Sequence, residues 1–121
     1  MTVSERFLKY VSFPTMSDES SMTTPSSDKQ WALLKYLKDE LISLGLDDVC
    51  LDDKGYLYAT LKKNCDANCI KLGLIAHVDT ADACADSPID AKVVEYTGGD
   101  VCLNPEKGIY LKVSEYPSLA R

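Results

Sequence analysis

The sequence predicts an α/β fold: two helices followed by a mixed sheet with hairpins. Three observations lead there. Two N-terminal stretches carry apolar residues at helical spacing. Two later stretches alternate in the manner of hairpin strands around glycine-containing turns. Between the hairpins lies a short, almost continuous aliphatic run, Ile70-Lys71-Leu72-Gly73-Leu74-Ile75-Ala76, the pattern of a strand covered on both faces.

The elements follow in order. Thr2-Val3-Ser4-Glu5 fits a capping box, and Val3, Phe7, Leu8 and Val11 recur at helical spacing, so the first helix is expected over 3–12, stopping before Pro14. Residues 15–26 are rich in Ser, Thr, Met and acid and read as a loop. Ser27-Asp28-Lys29-Gln30 offers a second capping box. A helix over 28–44 follows, with Trp31, Leu34, Leu37, Leu41 and Leu44 as its core stripe, widened by Leu33 and Ile42. Gly45 stands where a left-handed cap is expected.

Val49 and Leu51 alternate with Cys50 and Asp52, Asp53-Lys54-Gly55 makes a turn, and 56–61 is strand-like, which together predict a hairpin. A polar turn over 62–68 leads into the aliphatic run 70–76, expected as a buried strand. Residues 81–90 read as loop and 91–96 as a further strand. Val101-Cys102-Leu103 and residues 109–113 predict a second hairpin, with a turn at 98–100 before it and one at 106–108 between its strands. An apolar strand needs covers on both faces, and two helices cannot supply them, so the layer arrangement reads as incomplete.

Composition narrows the function. The chain has 121 residues, 45% hydrophobic and 26% charged, the ordinary range for a globular domain. Thirteen basic against nineteen acidic residues give a net charge of −6, which disfavours a phosphate backbone as partner. No apolar run approaches the ~20 residues of a membrane span. The first residues lack the pattern of a secretory signal, so a reducing cytoplasm is the expected location.

Five cysteines, Cys50, Cys65, Cys69, Cys84 and Cys102, make an odd count that argues against a disulfide framework. Cys65-x3-Cys69 invites a zinc reading. A structural zinc site wants two close pairs, and no second pair exists, so these are read as small, partly buried thiols beside a polar turn.

The chain has one histidine, His77, which excludes a two-histidine metal site made by this chain alone. His77-Val78-Asp79 follows the aliphatic run, at the strand edge where open α/β sheets bind ligands. In an extended segment, residues two apart point to the same side. A neutral imidazole is a good zinc ligand, and a carboxylate beside it fixes its tautomer and orientation. By spacing alone the pair is a weak signal, since aspartate is common in this chain.

Its surroundings add to it. Glu5-Arg6-Phe7-Leu8-Lys9-Tyr10-Val11-Ser12 resembles the opening of the peptidase T family of tripeptide aminopeptidases. Thr23-Thr24-Pro25-Ser26 with Gln30-Trp31-x-Leu33-Leu34, then Leu44-Gly45-Leu46, then Asp53-Lys54-Gly55 with Ala59-Thr60-Leu61 are similar to that family's following segments. Ile75-Ala76-His77-Val78-Asp79-Thr80 resembles its first metal motif, and Tyr96-x-Gly98-Gly99-Asp100-Val101 and Tyr116-Pro117-x-Leu119 its later ones. The resemblance runs in order along nearly the whole chain. Residues 81–90 follow it loosely, and Asp82 and Asp86 are assigned no role.

The resemblance implies that residues 1–121 are the N-terminal portion of a zinc-exopeptidase catalytic domain, without the lid or dimerisation domain. It implies a parent with two zinc ions that releases the N-terminal residue of a tripeptide. It implies His77 as a ligand to one zinc and Asp79 as the catalytic-site carboxylate that orients it. The family's bridging Asp, general-base Glu, further ligands and second His match nothing in this chain. The alternatives are a related zinc exopeptidase or deacylase with another substrate, and a truncated, non-catalytic module. A sheet lacking its later covers leaves apolar surface bare, so self-association of the chain is also expected.

Overall fold

The computed structural model describes residues 1–83, 89 and 91–120. They form two helices and two small antiparallel sheets, divided into two compact units, Met1–Ala91 and Lys92–Arg121.

In the first unit, α1 (Val3–Val11) opens with the expected capping box. The Thr2 hydroxyl accepts the Glu5 N–H at 3.2 Å, and the Glu5 carboxylate accepts the Thr2 N–H at 2.7 Å. Two N–H groups left over by helix geometry are thereby satisfied. The second helix, α2 (Gln30–Ser43), begins differently from expectation. Its cap residue, Lys29, gives no side-chain cap bond, and the backbone tightens instead: Gln30, Trp31 and Ala32 donate to the carbonyls of Ser27, Asp28 and Lys29 at 3.2, 3.2 and 3.3 Å. The Gln30 amide turns back to the Ser26 hydroxyl at 3.4 Å rather than to Ser27. At the other end the expected glycine cap is present. Gly45 has φ +78°, and Gly45 and Leu46 donate to the carbonyls of Ile42 and Leu41 at 3.0 and 3.2 Å, a Schellman closure.

The helices dock through a polar pair. Glu40 on α2 is buried and accepts from Arg6 Nε at 2.9 Å and from the Tyr10 hydroxyl, both on α1. Tyr36 adds ring contacts to Tyr10 and Phe13, with centroids 6.2 and 5.5 Å apart. α2 also packs on a hairpin of β1 (Asp47–Leu51) and β2 (Leu57–Thr60), in the register Asp47↔Thr60, Cys50↔Tyr58 and Leu51↔Leu57. A bulge between Asp47 and Cys50 contains Asp48 at φ 53°, a conformation Asp tolerates better than most residues. The Asp52 carboxylate closes the turn, accepting the N–H groups of Lys54 and Tyr56 at 3.0 and 2.8 Å.

Gly55 in that turn has φ +80°, and a Cβ there would stand 2.7 Å from Pro25 Cγ and 3.2 Å from Leu34 Cδ1. The core is correspondingly small. Leu33 and Leu34 are its buried apolar members, while Trp31, Leu37 and Leu41 are half-buried and Ile42 and Leu44 lie open to solvent. The expected stripe is thus buried only where hairpin and loop cover it.

The largest departure is at 70–76. The expected buried strand is absent: these residues join no ladder, and Ile70, Leu72, Leu74 and Ile75 are 97, 84, 90 and 100% exposed. A strand exists only by pairing its backbone, and among the described residues no strand pairs with this run. The sheet is therefore not a single mixed one.

The second unit holds β3 (Val101–Asn104) and β4 (Ile109–Leu111), paired as the second expected hairpin in the register Val101↔Leu111 and Cys102↔Tyr110. The Asn104 side chain accepts the Lys107 N–H in the turn at 2.9 Å. A short 3₁₀ segment, Pro117–Ala120, follows, and Tyr96 Oη lies 2.8 Å from the Gly99 carbonyl and 2.7 Å from that of Leu119. The strand expected at 91–96 is not formed; among the described residues the run has no partner strand. The loop expected over 81–90 lies largely outside the described residues, as do Cys84 and Asp86.

Candidate functional site

His77 and Asp79 sit on a segment without regular secondary structure, directly before its one described ladder contact at Thr80. Thr80 bridges Met16 in parallel fashion: its N–H donates to the Thr15 carbonyl at 3.1 Å, and its carbonyl accepts the Ser17 N–H at 2.9 Å and the Ser17 hydroxyl at 3.1 Å. Thr15 is itself buried. The stretch that leaves α1 therefore supplies the anchor for the segment.

The two side chains lie on the same side, with His77 Nδ1 3.0 Å from Asp79 Oδ1. Their exposures are 83 and 46%, so the pair is reachable from solvent. A carboxylate at Nδ1 selects the tautomer with its proton there, leaving Nε2 as the free lone pair. Such an imidazole presents one oriented nitrogen donor to an electrophile or metal ion.

Around this pair, the described residues bring no further ligand. Among them no group of three or more His, Cys, Asp or Glu side chains could hold a metal ion. Cys65 and Cys69 face each other, Sγ to Sγ 3.5 Å, and both are exposed, not partly buried as their composition suggests. Asp82 makes no described contact with the pair. Among the described residues, no helix is long and apolar enough to cross a membrane.

One cluster went unnoticed in the sequence: Glu40 with Arg6 and Tyr10. The Tyr10 hydroxyl, more than Arg6, holds the Glu40 carboxyl below its ordinary range. Burial and the facing carboxylate push the Tyr10 phenol up to about 12. A buried-side glutamate on an otherwise apolar helix stripe was the available signal.

No family model matches the chain. Individual proteins do. It is 42% identical over 117 residues to a peptidase T of Geobacillus kaustophilus, covering 96% of this chain and 28% of that protein. To a peptidase T of Clostridium acetobutylicum it is 43% identical over 120 residues, 98% of this chain and 29% of the relative. To one of Parabacteroides distasonis it is 39% identical over 120 residues, with coverage of 99 and 30%. The chain thus spans under a third of the length of the relatives it matches.

Proposed function

We propose, on the premise that this chain belongs by sequence with peptidase T, that it is part of the catalytic domain of a metal-dependent aminopeptidase acting on tripeptides. The observation that carries the reading is the match itself, which takes in 96 to 99% of the chain in proteins bearing that name. In this reading residues 1–121 are the N-terminal portion of a zinc-exopeptidase catalytic domain.

The donor set suits zinc in part. His77 has Nδ1 committed to Asp79 and Nε2 open, as a zinc-bound imidazole requires. One imidazole does not make a site, so the remaining ligands of the two-zinc centre belong to the rest of the protein. When bound, zinc would supply a Lewis acid and an activated water at neutral pH. The work of this chain is to hold His77 in one tautomer through Asp79 and to fix the segment through Thr80. Asp79 acts through the imidazole, as an orienting group.

The test is an aminopeptidase assay on an unblocked tripeptide, using the complete protein that contains this chain. Metal-dependent release of the N-terminal residue, lost in His77→Ala, is the expected result. Unimpaired turnover by His77→Ala overturns the site, and absence of any peptidase activity in the metal-loaded, folded protein overturns the function.

A further inference from the structure

The turn that precedes the His77 segment carries two thiols that the proposed peptidase chemistry does not use. Cys65 and Cys69 are both exposed, and their sulfurs are 3.5 Å apart, roughly van der Waals contact. The turn is braced from within, Lys63 Nζ donating to the Ala67 carbonyl at 3.3 Å. Cys50 and Cys102 lie on the exposed faces of β1 and β3 with no sulfur contact of this kind. A disulfide needs its sulfurs near 2 Å, so the two exposed side chains have to draw closer by about 1.5 Å from their 3.5 Å contact.

We propose that Cys65 and Cys69 form a reversible disulfide that closes the turn between β2 and the segment bearing His77. The co-reactant is a small disulfide of the glutathione type. The thiolate of one cysteine attacks a sulfur of the small disulfide, whose S–S bond breaks and releases one thiol, leaving a mixed disulfide on the protein. The second thiolate attacks the protein sulfur of that mixed disulfide, forming the Cys65–Cys69 bond and releasing the second small thiol. The protein loses two protons and two electrons, and the small disulfide takes them up to become two thiols. Proximity favours the second step, because the resolving sulfur is already in contact. Closure removes freedom from the turn directly before Ile70.

The experiment equilibrates the chain in glutathione buffers of increasing oxidised fraction, traps remaining thiols by alkylation and maps peptides by mass. Two of the five thiols are expected to disappear together, in a Cys65–Cys69 cross-linked peptide that dithiothreitol releases. A variant with Cys50, Cys84 and Cys102 all changed to serine keeps the transition. Cys65→Ser and Cys69→Ser each lose it, the remaining cysteine ending as a glutathione adduct. Cross-links to any other cysteine, links between chains, or glutathione adducts on both residues without a cross-link overturn the proposal. So does persistence of both free thiols in fully oxidised buffer.

Discussion

Thr80 and Thr15 are joined backbone to backbone, the N–H of Thr80 donating to the Thr15 carbonyl at 3.1 Å. This bond and its companions to Ser17 tie the His77-Val78-Asp79 segment to the stretch that follows α1. Ser17→Pro removes both donors to the Thr80 carbonyl. Net hydrogen-bond energies of about 0.5–1.5 kcal/mol predict that exchange of the Thr80 amide quickens about tenfold. Ser17→Ala, which removes only the hydroxyl, should have a smaller effect. Amide exchange measured by NMR decides it; an unchanged Thr80 rate in the proline variant refutes the anchor.

Leu34 and Gly55 meet at the small core. Leu34→Ala removes buried methyl groups and should cost about 2–5 kcal/mol. Gly55→Ala places a Cβ 2.7 Å from Pro25 Cγ at φ +80°, combining a clash with backbone strain, and should cost about 1 kcal/mol or more. Urea titration followed by circular dichroism measures both. A neutral Gly55→Ala would show that the turn gives way freely.

The Glu40 cluster predicts stability that declines at both ends of the pH scale. The folded pKa of Glu40 is depressed from 4.5, first by the Tyr10 hydroxyl. Its contribution is therefore present above the ordinary value and lost as pH falls through the folded one. Tyr10 is raised from 10.0 to about 12 by burial and by Glu40. Its contribution is present below 10 and lost as pH rises toward the folded value. Glu40→Gln should flatten the acid limb relative to the parent, and Tyr10→Phe the alkaline limb. Melting temperatures across pH give the comparison.

In the complete protein, Asp79→Ala should lower activity about 10–100-fold, the usual cost of removing a carboxylate that orients a metal-bound imidazole. His77→Ala should lose more, together with metal. The 121-residue chain alone should show no tripeptidase activity with added zinc and retain no stoichiometric metal, since tight sites need three or four converging ligands. Turnover by the purified chain would overturn this division of labour.

Ile70, Leu72, Leu74 and Ile75 form an exposed apolar run, and such surface favours association. The chain should sediment as a dimer or larger species at micromolar concentration. Leu72→Glu with Leu74→Glu should shift it toward monomer. A strict monomer in the unsubstituted chain would count against the run as a sticky surface.

The same run marks the limit of what the sequence could say. Local chemistry was legible wherever it was self-contained: the Thr2–Glu5 box, the Gly45 cap and the turns at Gly55 and Gly108 satisfy their own backbone within a few residues. Both hairpins follow from it. The strand at 70–76 was not, because its pairing depends on distant partners, and composition records only that the run is suited to burial. The second capping box failed for a related reason: the Gln30 N–H donates to the Ser27 carbonyl at 3.2 Å, and the Ser27 hydroxyl accepts the Lys29 N–H at 3.4 Å instead. At the site, the spacing of His77 and Asp79 indicates a common side, and their contact at 3.0 Å is local. The Thr80 anchor could not be read, as it joins residues far apart in the chain. The Glu40 cluster escaped because a glutamate on a helix is ordinarily solvent-facing.

β2 ends at Thr60 and the next ladder contact is at Thr80, so the length between them is a loop with both ends fixed. The free energy of closing a flexible loop grows only logarithmically, about 0.6 kcal/mol for each doubling of its length. Residues gained or lost in the turn over 61–69 should therefore shift the seat of the His77 pair very little. The imidazole belongs to a segment whose position Thr15 and Ser17 hold through Thr80, at its far end from that turn.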